Sequence, residues 1–148
     1  MKQEPDIKAR ALRYLARREY TRLELARKLA PHADTPQQLD ELLDELQRRG
    51  WLSEQRAVEQ VLRVRRAKFG AAHIAHELRE KGVTEELIDG ALEQFKGGEF
   101  DAALAVWRKK FSALPQDARE RAKQMRFLQS RGFGMDVIRR VLRHDDEQ

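Results

Sequence analysis

Cysteine is absent from this sequence, which excludes disulfides and thiolate metal sites. Glycine and proline are scarce, at eight and four residues of 148, and aromatic residues make up only 7%. No stretch alternates as a half-buried strand would. No apolar run approaches the roughly 18 residues of a membrane span, and the start, MKQEPDIKARAL, has no secretory h-region. Also missing are the G-x-x-x-x-G-K-[ST] and G-x-G-x-x-G phosphate loops and any serine or cysteine nucleophile motif. The expectation is a cytoplasmic protein that is not an enzyme, needs no cofactor and does not enter a membrane.

What is present is charge and helix-forming residues. Charged residues make up 37% of the chain and hydrophobic ones 41%, and Ala, Leu, Arg and Glu dominate, so the fold class is all-α. The net charge of +5, with a pI near 9.7, points to an acidic partner, either nucleic acid or an acidic protein groove.

Apolar spacing and start and stop signals predict nine helices. The first runs from Ile7 to about Glu19 with Ala9, Leu12, Leu15 and Ala16 inward. Thr21 and Glu24 form a capping box for the second, which carries Leu25, Ala26 and Leu29 and stops at Pro31. Thr35 and Pro36 open the third, lined by Leu39, Leu42, Leu43 and Leu46 and closed by Gly50. Ser53 caps the fourth, with Ala57, Val58, Val61 and Leu62 inward; Gly70 breaks it. The fifth carries Ile74, Ala75 and Leu78 and ends at Gly82. Thr84 caps the sixth, which buries Leu87, Ile88, Ala91, Leu92 and Phe95 around an interior Gly90. Gly97-Gly98 reads as the clearest linker. Phe100, Ala103, Leu104, Trp107 and Phe111 mark the seventh helix; Ala118, Ala122, Met125 and Leu128 the eighth, ending at Gly132; Val137, Ile138, Val141 and Leu142 the ninth. The tail from His144 to Gln148 reads as frayed.

Two segments repeat at one offset. Leu78-x-x-Lys81-Gly82-Val83 matches Leu128-x-x-Arg131-Gly132-Phe133, and Leu87-Ile88-x-x-Ala91-Leu92 matches Val137-Ile138-x-x-Val141-Leu142, both 50 residues apart. The first third fits more loosely. The predicted architecture is three tandem three-helix units, residues 1–53, 54–96 and 97–148, in an elongated array whose curvature is left open.

Histidines 73 and 76, with Glu77, lie near one helical face, but the spacing is not H-E-x-x-H and no further ligand cluster exists, so they read as surface residues. Asp40, Glu41, Asp44 and Glu45 read as a solvated face opposite the leucines. Trp51, Trp107 and Phe111 read as core at the seams between helices rather than as base-stacking platforms. The basic groups carry more information. Arg63, Arg65, Arg66 and Lys68 end the fourth helix; Arg108, Lys109 and Lys110 end the seventh; Arg119, Arg121, Lys123 and Arg126 run along the eighth. By thirds the net charge is +2, 0 and +3, which suits a long contact along a polyanionic or acidic groove better than one concentrated DNA-reading patch.

These residues also carry a family resemblance. Ala11 to Leu25 with Arg27-Lys28-Leu29, then Gly50-Trp51-Leu52-Ser53-Glu54 followed by Arg56, then Glu77-Leu78-Arg79-x-Lys81-Gly82-Val83, Arg108-Lys109-Lys110-Phe111 and Arg126-Phe127-Leu128-x-x-Arg131-Gly132-Phe133 resemble, in order, the RecX regulatory proteins. The resemblance covers nearly the whole chain. Ala57 and Val61 stand where that family commonly has aromatics, and its glycine-rich turn is reduced to Phe69-Gly70-Ala71-Ala72. The resemblance implies a monomeric bacterial protein that binds the recombinase RecA, on or entering its filament on single-stranded DNA. It implies a modulator, chiefly an inhibitor, of RecA's ATPase, strand-exchange and coprotease activities in recombination, repair and the SOS response. The eleven basic residues named above are then the contacts to RecA or to nearby phosphate, with weak direct DNA binding allowed. A helix-turn-helix-like DNA-binding protein and a plain helical adaptor are the rival readings.

Overall fold

Six helix starts among the described residues are written in the residue before them. Asp6, Thr21, Thr35, Ser53, Thr84 and Asp117 each accept a first-turn backbone N–H on their side-chain oxygen, which satisfies a donor that the helix leaves without a partner. The computed structural model describes residues 6–144. Within them the chain forms α1 (Ile7–Arg17), α2 (Arg22–Leu29), α3 (Pro36–Arg48), α4 (Glu54–Arg65), α5 (Ala71–Glu80), α6 (Glu85–Phe95), α7 (Glu99–Lys110), α8 (Ala118–Ser130) and α9 (Met135–Val141), with 3-10 turns at Ala30–His32 and Lys96–Gly98. Among the described residues there is no strand, and no helix is long and apolar enough to cross a membrane.

The buried apolar residues gather into three separate cores. One is drawn from α1 to α3 and the turn to Leu52, around Leu25, Leu29, Leu43 and Leu46. The next, from α4 to α6, centres on Val58, Ile74, Leu78 and Ile88. The last, from α7 to α9, centres on Ala103, Trp107, Leu128 and Ile138. Fully burying one such side chain is worth about 1.5–3 kcal/mol, so each trio of helices carries its own driving force.

Gly50, Gly82 and Gly132 take positive φ (76°, 81° and 88°) at the ends of α3, α5 and α8. In each case the next residue returns its N–H to the last turn: Trp51 to the carbonyl of Leu46, Val83 to Leu78 and Phe133 to Leu128, at 3.0, 3.0 and 3.2 Å. This is the hydrogen-bond pattern of a glycine-closed helix end. Val83 and Phe133 drop into their cores, whereas Trp51 stays 41% exposed and Leu52 is buried instead. The expectation that Trp51 is core at a seam is thus corrected, while Trp107 is buried as expected.

Other expectations change as well. The inward face of α1 is Ile7, Ala11, Tyr14 and Leu15; Leu12 and Ala16 are exposed. Gly97-Gly98 is not a loose linker. Phe95 is buried in the second core and Phe100 packs on the third, so the chain between them is held short and passes from α6 to α7 through one 3-10 turn. In α8 Ala118 is exposed, and a polar residue, Gln124, is buried beside Leu128. It accepts from Trp107 Nε1 at 2.8 Å and donates to the carbonyl of Ala113 at 3.1 Å. Asp44 and Glu45 are not merely solvated: they pair with Arg22 at 2.7 Å and Lys8 at 2.9 Å, tying α3 to α2 and α1. The expected fraying beyond His144 falls outside the described residues.

The middle helix of each trio docks end-on against the middle helix of the next. At the joint between α5 and α8, Gly70 and Ala72 donate backbone N–H groups to the carbonyls of Arg131 (2.8 Å) and Gly132 (3.1 Å). The free donors of one helix start thus meet the free acceptors of another helix end, with aligned dipoles. A Cβ on Gly70 would fall 2.5 Å from the Gly132 backbone, so only glycine permits the approach. At the joint between α2 and α5 the Thr21 hydroxyl donates to the carbonyl of Lys81 at 2.6 Å. A glutamate from the following trio completes each joint: Glu54 accepts from Arg22 N–H at 2.5 Å, and Glu99 accepts from Ala71 N–H at 3.1 Å. Burial holds the Glu54 carboxyl above the ordinary glutamate range, and the Arg22 N–H offsets only part of that cost.

Candidate partner-binding surface

The exits of α4 and α7 bring four of the eleven predicted basic residues, Arg65, Lys68, Lys109 and Lys110, to one side of the second joint, where the exit of α8 adds Arg131, with aromatic rings between them. Arg65 donates to Glu77 at 2.9 Å, and its guanidinium lies 5.8 Å from the centre of the Phe69 ring. Phe69 stacks on the imidazole of His73, 3.8 Å away and 9° from parallel. Arg131 sits 5.6 Å from the Phe69 ring and 5.4 Å from that of Phe127. Lys110 approaches Phe127 at 5.6 Å, and Phe127 meets Phe111 edge-on at 5.5 Å. These separations lie within cation–π reach. Arg131 therefore bridges an aromatic of the second trio and one of the third.

Beside this ladder lies a groove of about 320 Å³. Lys68, Lys109, Lys110 and Arg131 stand around it, over Ala67, Ala105, Val106 and Phe127. Among the described residues none of these four cations forms an ion pair, so their charge faces whatever occupies the groove.

The remaining predicted cations are placed differently. Arg66 lies on the other side of Ala67, in a hollow of about 330 Å³ with Gln94, Phe95 and Gly98. Lys123 borders a smaller hollow of about 250 Å³ beside Phe111 and Gln124. Arg119 and Arg126 share the side of α8 that carries Lys123, by their three- and four-residue spacing, whereas Arg121 turns away from it. Arg63 and Arg108 are exposed but border none of these hollows. Of the eleven, only Arg65 is neutralised by an acidic partner among the described residues.

Arg131 and Phe127 were absent from the sequence-derived set. In the sequence Arg131 marks the repeat, in the place of Lys81, and belongs to the motif of the family resemblance, but nothing there sets it apart as a contact. The two are not electrostatically alike. Lys81 has Glu77 at 3.4 Å and Glu24 at 3.9 Å, whereas Arg131 has aromatic rings and, among the described residues, no acid. Two replacements account for the difference. Glu77, four residues before Lys81, has Phe127 as its counterpart four residues before Arg131, and Glu24, the third residue of α2, has His73, the third residue of α5. His73 thus serves in packing, and His76 pairs only loosely with Glu80, at 3.7 Å.

Comparison with known proteins places this geometry in a family. Residues 53–92 match the second three-helix domain of RecX, and residues 98–142 match the third. The regulatory protein RecX of Leptothrix cholodnii is 49% identical over 142 residues, covering 96% of this chain and 90% of the relative. That of Chromobacterium violaceum is 49% identical over 138 residues, covering 92% and 88%. The crystal structure of RecX from Lactobacillus salivarius superposes with a TM-score of 0.80 over 92% of both chains at 19% identity, which shows a shared fold. A second RecX crystal structure gives 0.78 over 91% of this chain and 70% of that one, at 22% identity. With three helix trios joined end to end, glycine-closed at Gly82 and Gly132, and with relatives of this identity over nearly its full length, the chain belongs to the RecX family of regulatory proteins.

Proposed function

We propose that the protein binds the RecA recombinase, alone or as its filament on single-stranded DNA, and restrains its ATP hydrolysis, strand exchange and coprotease activity in recombination, DNA repair and the SOS response. Its membership of the RecX family carries this reading. The unpaired cations spread over α4, α7 and α8 support it, because an extended basic surface suits a long acidic or phosphate-lined groove. In this reading residues 1–53, 54–96 and 97–148 are the repeating units, the protein acts as a cytoplasmic monomer, and it performs no chemistry of its own. The contacts are Arg63, Arg65, Arg66, Lys68, Arg108, Lys109, Lys110, Arg119, Arg121, Lys123 and Arg126.

The test is ATP hydrolysis by RecA filaments on single-stranded DNA while the protein is titrated from far below to equal molarity. Suppression at substoichiometric amounts supports the reading. Unchanged hydrolysis up to equimolar protein, with filament and protein both intact, would falsify it. A second reading, direct binding to DNA phosphates, draws on the same cations and predicts tight binding to naked DNA that falls steeply with salt.

A further inference from the structure

We infer that the groove at the second joint is a docking site for an acidic protein segment that inserts one apolar side chain between its acidic residues. The inference deepens the reading above and rests on its premise that the partner is a protein. The floor is hydrocarbon: Ala67, Ala105 and Val106 beside the Phe127 ring. The rim is cationic, with Lys68, Lys109, Lys110 and Arg131 unpaired among the described residues. An apolar floor under a ring of like charge is complementary to a hydrophobic anchor flanked by carboxylates.

The same features disfavour a nucleic-acid strand. Base stacking needs an open aromatic face, and Phe127 already has Arg131 at 5.4 Å and Lys110 at 5.6 Å over its ring and Phe111 against it at 5.5 Å. A sugar-phosphate backbone would meet the rim but leave the apolar floor without a partner. The first joint makes the contrast. Its equivalent cation, Lys81, is taken up by Glu24 and Glu77, so the basic site forms where Phe127 replaces the acid one turn earlier and His73 replaces the acid at the start of the docked helix. The site is therefore a feature of one joint, not of the repeat as such.

The probes are a fluorescein-labelled short peptide of Asp and Glu around one central phenylalanine, the same peptide with serine in place of the phenylalanine, and a labelled oligothymidine. Binding is read by anisotropy on the full chain. Two variants separate floor from rim. Ala105→Phe fills the floor from an exposed position of α7 without changing charge, and Lys109→Glu with Lys110→Glu reverses part of the rim. The phenylalanine peptide is expected to bind, and to weaken roughly ten- to a hundredfold when its anchor is removed or when Ala105→Phe fills the floor. It should also weaken at least about tenfold when the rim is reversed, and less so at high salt.

Peptide binding that is indifferent both to the anchor and to Ala105→Phe overturns the proposal, since charge alone would then explain it. Tighter binding of oligothymidine, lost on Ala105→Phe, overturns it in favour of a nucleic-acid site. The same variants are carried into the filament assay. If the wild-type chain suppresses RecA's ATPase and Ala105→Phe suppresses it equally, the groove has no part in that contact and the proposal fails while the family-level reading stands. If the wild-type chain leaves the ATPase unchanged but the peptide behaves as expected, the RecA reading fails and the groove stands.

Discussion

Gly70 donates its backbone N–H to the carbonyl of Arg131 at 2.8 Å, and with the Ala72 N–H on the carbonyl of Gly132 this bond fixes the start of α5 on the end of α8. The aromatic ladder is built across this contact, because Phe69 precedes Gly70 and the Arg131 guanidinium reaches back over the Phe69 ring. The rigidity of the joint and the shape of the basic groove are thus the same structural fact.

Gly132→Ala tests the joint directly. At φ +88° an alanine is strained, and its Cβ would fall 2.5 Å from the backbone N and the Cβ of His73. The expected loss is at least about 2 kcal/mol, the strain of the left-handed conformation plus the displacement of α5. Gly50→Ala shares the strain, at φ +76°, but meets nothing within 4 Å, so its loss should be nearer about 1 kcal/mol. Urea unfolding of the two variants reads the difference, and equal losses would mean that the close approach of Gly132 to His73 contributes nothing.

Glu54 gives a prediction in pH. Its carboxyl is held above the ordinary range chiefly by burial, so the folded chain keeps a proton that the unfolded chain has already released. The sign follows by linkage: the contribution of Glu54 is fully favourable below the unfolded glutamate pKa and is lost as pH rises through the raised folded value. Glu54→Gln keeps an oxygen to accept from Arg22 N–H and removes the titration. The stability of Glu54→Gln relative to the parent, measured by denaturation from below the ordinary glutamate pKa up to neutrality, should rise with pH, because the variant lacks the loss that Glu54 brings. A difference that falls as pH rises would contradict the assignment.

Gln124 is the polar residue that the third core cannot lose cheaply. Gln124→Leu would leave the buried Trp107 indole N–H without an acceptor, at an expected cost of about 1–3 kcal/mol. Adding Trp107→Phe removes the stranded donor, so the double variant should lose less than the two single losses added together. Thermal or urea denaturation of the cycle measures this, and strict additivity would show that the hydrogen bond has no coupling energy.

Much of the fold was legible because it is local. The Thr21 and Glu24 capping box needs only residues three apart, and it forms as read, at 3.0 and 3.1 Å. The glycine-closed ends at Gly82 and Gly132, and the offset of 50 that relates them, are also properties of short segments. The face of α1 was not legible in the same way. Ala9, Leu12, Leu15 and Ala16 satisfy helical spacing as well as Ile7, Ala11, Tyr14 and Leu15 do, and only the helices packed on α1 choose between them. Gly97-Gly98 misled for a related reason: composition suggests freedom, but Phe95 and Phe100 anchor the chain on either side.

The sequence by itself determined that the chain is helical, that it repeats and that it carries excess positive charge, since helix propensity, hydrophobic period and formal charge are properties of residues and their neighbours along the chain. Where that charge is free was decided by the tertiary structure. Lys81 and Arg131 stand at the same place in the repeat and read alike. Part of their difference is local: Glu77, four residues before Lys81, has Phe127 as its counterpart before Arg131. The rest is tertiary: α2 brings Glu24 to Lys81, whereas the start of α5 brings His73, and Phe69 before it, to the end of α8. That part depends on which groups meet in space from helices more than fifty residues apart in the chain.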